Sequence, residues 1–175
     1  MEQETLVLIK SDGVKKNIIG AVIDRFERVS LKVIGLRMIN ASEELANTHY
    51  ILTQEWGSNV ARKTRESFAK KGIQMAETDE QIASRVHSWL KKMLMAGPIV
   101  AIALRGDNAI EIVRKLIGAT EPRSAASGTI RGDYSTDSYA DADREKRALW
   151  NVVHASESTE EAKRELEVWF GKGPY

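Results

Sequence analysis

The sequence predicts an α+β fold in which an antiparallel or mixed sheet carries helices on one face, although the same pattern also permits a small doubly wound sheet. Three observations lead there. Short apolar runs of strand length recur along the 175 residues. Stretches with helical spacing separate them, and the order strand, helix, strand occurs in both halves of the chain.

Thr5 to Ile9 is a run rich in branched residues, closed by Lys10 and the turn signal Asp12-Gly13, and is read as a buried strand. Ile19, Val22, Ile23 and Phe26 then follow the i, i+3, i+4, i+7 spacing of an amphipathic helix, and Leu31 to Ile39 is the second strand. A short helix after Ser42 carries His49 and Tyr50. Ile99 to Leu104 is a third strand between Gly97-Pro98 and Gly106-Asp107. Ala109, Ile112, Val113 and Leu116 repeat the helical spacing, and Gly118 stands where a left-handed residue commonly ends a helix. Thr120 to Asp133, with Pro122, Gly128 and Gly132, reads as an irregular connection of a length that is often functional. Trp150 to Ala155 is a short last strand. Ser158-Thr159-Glu160-Glu161 is a capping box opening a final helix whose inner face is Ala162, Leu166 and Trp169.

Two segments read as insertions into a single domain spanning residues 1–175. The first occupies about 55–85 within a charged helical region that continues to about Leu94; its apolar stripe is Ile82, Val86, Trp89, Leu90 and Met93, expected to pack internally. The second, about 135–148, is almost wholly polar.

Composition excludes several classes. Lys plus Arg number 26 against 25 Asp plus Glu, aromatic content is 6%, and no aromatic RNA-binding strand motif is present, so nucleic acid is not expected as a partner. Without cysteine there is no disulfide or thiolate metal site. No apolar stretch approaches the roughly 20 residues of a membrane span, and the start, Met1-Glu2-Gln3-Glu4, is acidic rather than basic. A cytoplasmic protein with no membrane partner is expected.

The chemistry-bearing residues stand where the pattern would otherwise place core. His154 ends the last strand, and Glu165 lies near the inward face of the final helix, where an unpaired carboxylate is costly. A histidine beside a carboxylate has its tautomer fixed and one ring nitrogen left nucleophilic. Neither G-x-x-x-x-G-K-[ST] nor G-x-G-x-x-G occurs, so a phosphate site must be built from side chains. Lys10 at a strand end, Arg114 on a helix, and Thr120 and Arg131 on the long loop offer a point charge, two planar forks and a hydroxyl.

Four segments, in this order, resemble the nucleoside diphosphate kinase family: Ile9-Lys10-Ser11-Asp12-Gly13-Val14, Gly118-Ala119-Thr120-Glu121-Pro122, Gly128-Thr129-Ile130-Arg131-Gly132-Asp133, and Asn151-Val152-Val153-His154-Ala155-Ser156-Glu157-Ser158. The resemblance covers nearly the whole chain apart from the two insertions. It implies a ferredoxin-like βαββαβ sandwich: an antiparallel four-stranded sheet covered by helices. It also implies transfer of the γ-phosphate of a nucleoside triphosphate to a nucleoside diphosphate, ping-pong, through a phosphohistidine. By the resemblance His154 is the phosphorylated residue and Glu165 the carboxylate bound to it. Lys10, Arg114, Thr120 and Arg131 are phosphate ligands, Asn151 contacts the sugar hydroxyl region, and Tyr50 lines the site near Lys10. Mg²⁺ rides on the nucleotide phosphates with little protein ligation, and a homo-oligomer, hexamer or tetramer, is implied. Three positions depart from the family: Ala155 stands for a glycine, Ser11 for a proline, and Val86, beside His87 and Trp89, for the phenylalanine on which the base stacks. A catalytically silent nucleotide-binding regulator of the same fold is the alternative, and the presence of both His154 and Glu165 argues against it.

Overall fold

The computed structural model describes residues 1–172. Four strands, β1 (Glu2–Ile9), β2 (Lys32–Ile39), β3 (Ile99–Asp107) and β4 (Val153–Ala155), form one sheet in the order β2-β3-β1-β4, and every neighbouring pair is antiparallel. The doubly wound alternative is thereby excluded, because it requires a parallel sheet. The helices are α1 (Ser11–Lys15), α2 (Ile19–Glu27), α3 (Glu43–His49), α4 (Gln54–Ala69), α5 (Asp79–Leu94), α6 (Ala109–Ile117), α7 (Ile130–Tyr134), α8 (Tyr139–Arg144) and α9 (Thr159–Phe170). Among them none is long and apolar enough to cross a membrane.

Helices cover both faces of the sheet, not one as the sequence pattern implied. Val7, Ile9, Val100, Ile102, Leu104, Val153 and Ala155 pack against α2 and α6 through Val22, Phe26, Val113 and Ile117. Leu6, Leu8, Ile99, Ala101 and Ala103 face the other way, onto Ala46 of α3, Leu94 of α5, and Leu166 and Trp169 of α9. Successive strand residues point to opposite faces, so an unbroken apolar run such as Leu6–Ile9, fully buried throughout, is the signature of burial on both sides.

Several local expectations are refined. The turn after Lys10 is the helix α1, and the loop from Thr120 to Asp133 is not wholly irregular: it contains a 3-10 turn at Pro122–Ser124 and the start of α7. Gly118 does end α6 with φ 81, and a Cβ there would lie 2.4 Å from the Thr129 hydroxyl. The start of α9 is capped by Ser158, which accepts from the Glu161 amide, but the reciprocal half of the box is missing. The Glu161 carboxylate instead accepts from the Glu157 amide at 2.6 Å, one residue earlier.

The first inserted region forms two antiparallel helices. Each has a threonine N-cap, Thr53 on α4 and Thr78 on α5, the latter with a complete capping box through Gln81. Of the expected apolar stripe, Ile82 and Met93 are buried, whereas Val86, Trp89 and Leu90 are half-buried and line a cavity. Part of the stripe is therefore not internal packing. Arg85 pairs with Glu77 at 2.8 Å and with Asp143 of α8, tying the two insertions together.

Candidate active site

Strand alternation aims His154. Val153 and Ala155 belong to the core on the α2 and α6 side, so His154 between them points to the opposite face, toward α3 and α9. β4 lies at the sheet edge, and the imidazole keeps 22% of its surface exposed. Within α9 the inward stripe Ala162, Leu166 and Trp169 carries Glu165 along with it, 1% exposed. The two meet: His154 Nε2 lies 2.9 and 3.1 Å from the Glu165 carboxylate oxygens. Ser156 Oγ donates to the same carboxylate at 2.7 Å.

Burial opposes ionisation of Glu165, yet the His154 charge and hydrogen bond, together with His49 and Ser156, hold its pKa down at about 2. A carboxylate can only accept, so Nε2 carries the proton and Nδ1 presents its lone pair. Among the described residues Nδ1 makes no hydrogen bond.

Lys10 follows Ile9 at the end of β1, and Ile9 pairs with Val153 of β4, so the ammonium emerges beside His154's strand. It is 3% exposed and donates to Asn151 Oδ1 and to the Leu149 carbonyl at 3.3 Å. Burial, partly offset by Asp12, lowers its pKa to about 8. Arg131, also 3% exposed, donates to the carbonyls of Gly118 at 2.9 Å and Val153 at 3.0 Å, while its Nε has no partner among the described residues. Burial and then the charge of Arg114 lower its pKa to about 10. Neither cation forms an ion pair among the described residues. Burying a cation without a counter-charge is costly, and a bound anion would relieve both at once.

The other sequence-predicted residues converge on the same space. A cavity of about 710 Å³ is lined by Lys10, Tyr50, Val86, Arg114, Thr120, Arg131, Asn151, His154 and Glu165, so every one of them is brought together. Arg114 on α6 pairs with Glu157 at 3.0 Å and donates to the Ala155 carbonyl at 3.4 Å. The Asn151 amide is engaged at both ends, to Lys10 and to the Thr120 carbonyl at 2.8 Å, so in this structure it braces two parts of the site. Burial raises the Tyr50 hydroxyl above the ordinary phenol range.

The backbone between Asn151 and His154 is strained. Val152 has φ 58, a left-handed conformation that is an outlier for a β-branched residue. Its amide donates to Asp12 at 3.0 Å and its carbonyl accepts from the Lys10 amide at 2.8 Å, which locks the turn to α1. Such strain persists only when neighbours over-determine it, and it concentrates at functional sites. Ala155, by contrast, needs no positive φ, which explains why a side chain is accepted there. Ser11 is the first residue of α1, a position that suits proline and serine alike.

Sequence reasoning missed His49 and Ser156. His49 is 2% exposed; its ring centroid lies 4.8 Å from that of His154, and its Nδ1 lies 3.3 Å from the Trp169 indole nitrogen. Burial and then the His154 charge lower its pKa to about 3, so it is neutral. Ala46, His49 and Tyr50 follow i, i+3, i+4 spacing, so a histidine on an inward helical face was the available signal.

This chain matches the family model described as nucleoside diphosphate kinase over residues 3–62 and 63–174. It is 40% identical over 173 residues to a nucleoside diphosphate kinase from Pyrobaculum aerophilum, covering 96% of this chain and 94% of the relative. The chain belongs to the nucleoside diphosphate kinase family. A crystal structure of an NDP kinase from Pyrobaculum aerophilum superposes with a TM-score of 0.91 at 38% identity, covering 98% of this chain and 97% of that one. A transition-state mimic of the Borrelia burgdorferi nucleoside-diphosphate kinase, holding vanadate and ADP, gives a TM-score of 0.78 at 34% identity, covering 98% and 88%. Nucleoside diphosphate kinase activity, a phosphotransfer, is thus assigned to this chain in preference to a silent regulator of the same fold.

Proposed function

We propose that this nucleoside diphosphate kinase works by ping-pong phosphoryl transfer through a phosphohistidine at His154. The observation that carries the mechanism is the pairing of a histidine whose Nδ1 is open, backed by an ionised Glu165 at 2.9 Å, with two buried, unpaired cations in one cavity. In the first half-reaction the Nδ1 lone pair forms a bond to the γ-phosphorus as the bond to the bridging oxygen breaks, and that electron pair leaves on the β-phosphate. The Nε2 proton stays in place, so the ring becomes positively charged and Glu165 stabilises it. The second half-reaction is the reverse, with a different nucleoside diphosphate as acceptor. Lys10, Arg114 and Arg131 address the phosphate oxygens, with Thr120 as a hydroxyl donor, so catalysis is positioning plus electrostatic stabilisation.

Mg²⁺ fits as a passenger of the nucleotide. Of the carboxylates lining the cavity, Glu165 is engaged with His154 and Ser156, Glu157 with Arg114, Asp143 with Arg85 and Glu161 with the Glu157 amide, whereas Glu55 and Glu160 are exposed to solvent, and Mg²⁺ is commonly held by substrate phosphates and water. When bound it supplies charge neutralisation on the phosphate oxygens.

The edge strand β2 supports a homo-oligomer. Leu36 and Met38, on one face of that strand, are 50% and 55% exposed, and a long uncovered edge with apolar side chains invites pairing with a second copy. A light-scattering mass of one chain would overturn that assignment. The kinetic test of the mechanism is an initial-rate study with ATP and GDP. Parallel double-reciprocal lines are expected; intersecting lines would mean direct transfer between two bound nucleotides and would refute the covalent intermediate.

A further inference from the structure

Val86 lines the cavity, but it offers no aromatic face, and the structure points elsewhere for the base. From α4 the cavity is lined by Glu55 and by Trp56, Asn59, Val60, Lys63 and Thr64, the last five an i, i+3, i+4, i+7, i+8 set on one continuous face of that helix. From α5 it is lined by Val86, Trp89 and Leu90. The inserted helix α4 is thus a wall of the pocket rather than a remote addition.

Two of the four tryptophans line the cavity, and they differ in what already covers them. The Arg85 guanidinium sits over the Trp89 ring at 4.8 Å, held there by its pairs with Glu77 and Asp143. Among the described residues Trp56 makes a ring contact with His87 alone, edge-on at 5.9 Å and 78°, and no cation lies over it. His87 is itself fixed, with Nε2 2.8 Å from the Tyr50 carbonyl, so Trp56 is tied to a residue lining the same cavity as Lys10 and His154. Val60, Leu90, Ala142 and Ala148 supply apolar surface around it.

We propose that Trp56 is the surface on which the nucleobase stacks, so that base binding in this chain belongs to the inserted helix α4 and not to Val86. A half-buried indole of fixed orientation gives any base a π-face without reading its edge, which predicts broad base tolerance. The proposal rests on the kinase reading, and the experiment separates the two. The KM for GDP and kcat, with ATP as donor, are measured for wild type, Trp56→Ala and Trp56→Phe, together with tryptophan fluorescence on adding ADP.

Trp56→Ala is expected to raise KM about 5- to 150-fold, the range that losing one base–aromatic stack gives, with kcat within about threefold of wild type. Trp56→Phe is expected to recover most of that loss while abolishing the ADP-induced quench. If wild type transfers phosphate and Trp56→Ala leaves KM unchanged, or if the quench survives in Trp56→Phe, the stacking assignment is wrong and the kinase reading stands. If wild type transfers nothing from ATP to GDP, it is the kinase reading that fails.

Discussion

Replacing Glu165 by glutamine probes the charge behind the nucleophile without changing its shape. The amide oxygen can still accept from His154 Nε2, and the amide nitrogen would face Ser156 Oγ, which can rotate to accept. What disappears is the negative charge 2.9 Å from the ring nitrogen. At an effective dielectric constant of about 20, opposite unit charges at this separation attract by about 5–6 kcal/mol. With roughly half the ring's charge developed in the transition state, about 2–3 kcal/mol is lost, or about 30- to 150-fold in kcat. The assay is steady-state transfer from ATP to GDP, with a thermal melt to show that the variant is folded. ADP affinity should stay within about threefold of wild type, because Glu165 does not face the phosphates directly. A folded variant with kcat within threefold of wild type, or one that loses ADP affinity instead of rate, would refute the view that Glu165 acts by stabilising a charged phosphohistidine.

The remaining expectations concern pH, buried charge and packing. On the proposed mechanism Lys10 holds phosphate as a cation, and its pKa is lowered to about 8, so nucleotide affinity should fall by about tenfold per pH unit above 8. Isothermal titration with ADP between pH 7 and 9.5 checks this, and Lys10→Arg should remove the alkaline limb. Acid stability follows from His49 and Glu165. His49 stays neutral in the fold down to about pH 3 while the unfolded chain takes up a proton near 6.5, and Glu165 stays ionised to about 2 against 4.5 unfolded. In both cases the unfolded state binds more protons, so stability is lost as pH falls from about 6.5 toward 2, by a few kcal/mol in all. Urea midpoints at pH 7, 5.5 and 4 measure the slope, which His49→Gln should flatten in the upper part of the window. Gly13→Ala should destabilise by about 1–3 kcal/mol, read as a lowered melting temperature, because the added Cβ would lie 2.8 Å from the Val152 carbonyl and 2.9 Å from an Ile9 methyl carbon.

The sheet was legible because each strand is a short apolar run bounded by turn residues, and α2, α6 and α9 because their stripes are regular. The face assignment was harder to read: an unbroken run such as Leu6–Ile9 already implied burial on both sides, but the helices that cover the second face are interrupted by insertions. All nine predicted site residues share one cavity. Glu165 stood out as a charge near the inward face of a helix, whereas Lys10 at a strand end and Arg131 on a loop were weak signals taken singly and became specific only within the family's motifs. His49 and Trp56 did not stand out, since a histidine and a tryptophan on helical faces also fit ordinary packing. Their significance comes from tertiary placement, His49 against His154 and Trp56 in the cavity wall. The left-handed Val152 could not be foreseen, because nothing local favours it; Asp12 and Lys10, far away in sequence, impose it.

The central claim is that His154 carries the phosphate between nucleotides. Brief incubation of the protein with ATP and Mg²⁺, followed by peptide mapping under alkaline conditions and ³¹P NMR, should place one acid-labile, base-stable phosphate on the His154 ring, discharged on adding GDP. Finding the phosphate on another residue, or finding that His154→Ala still converts GDP to GTP, would contradict the account.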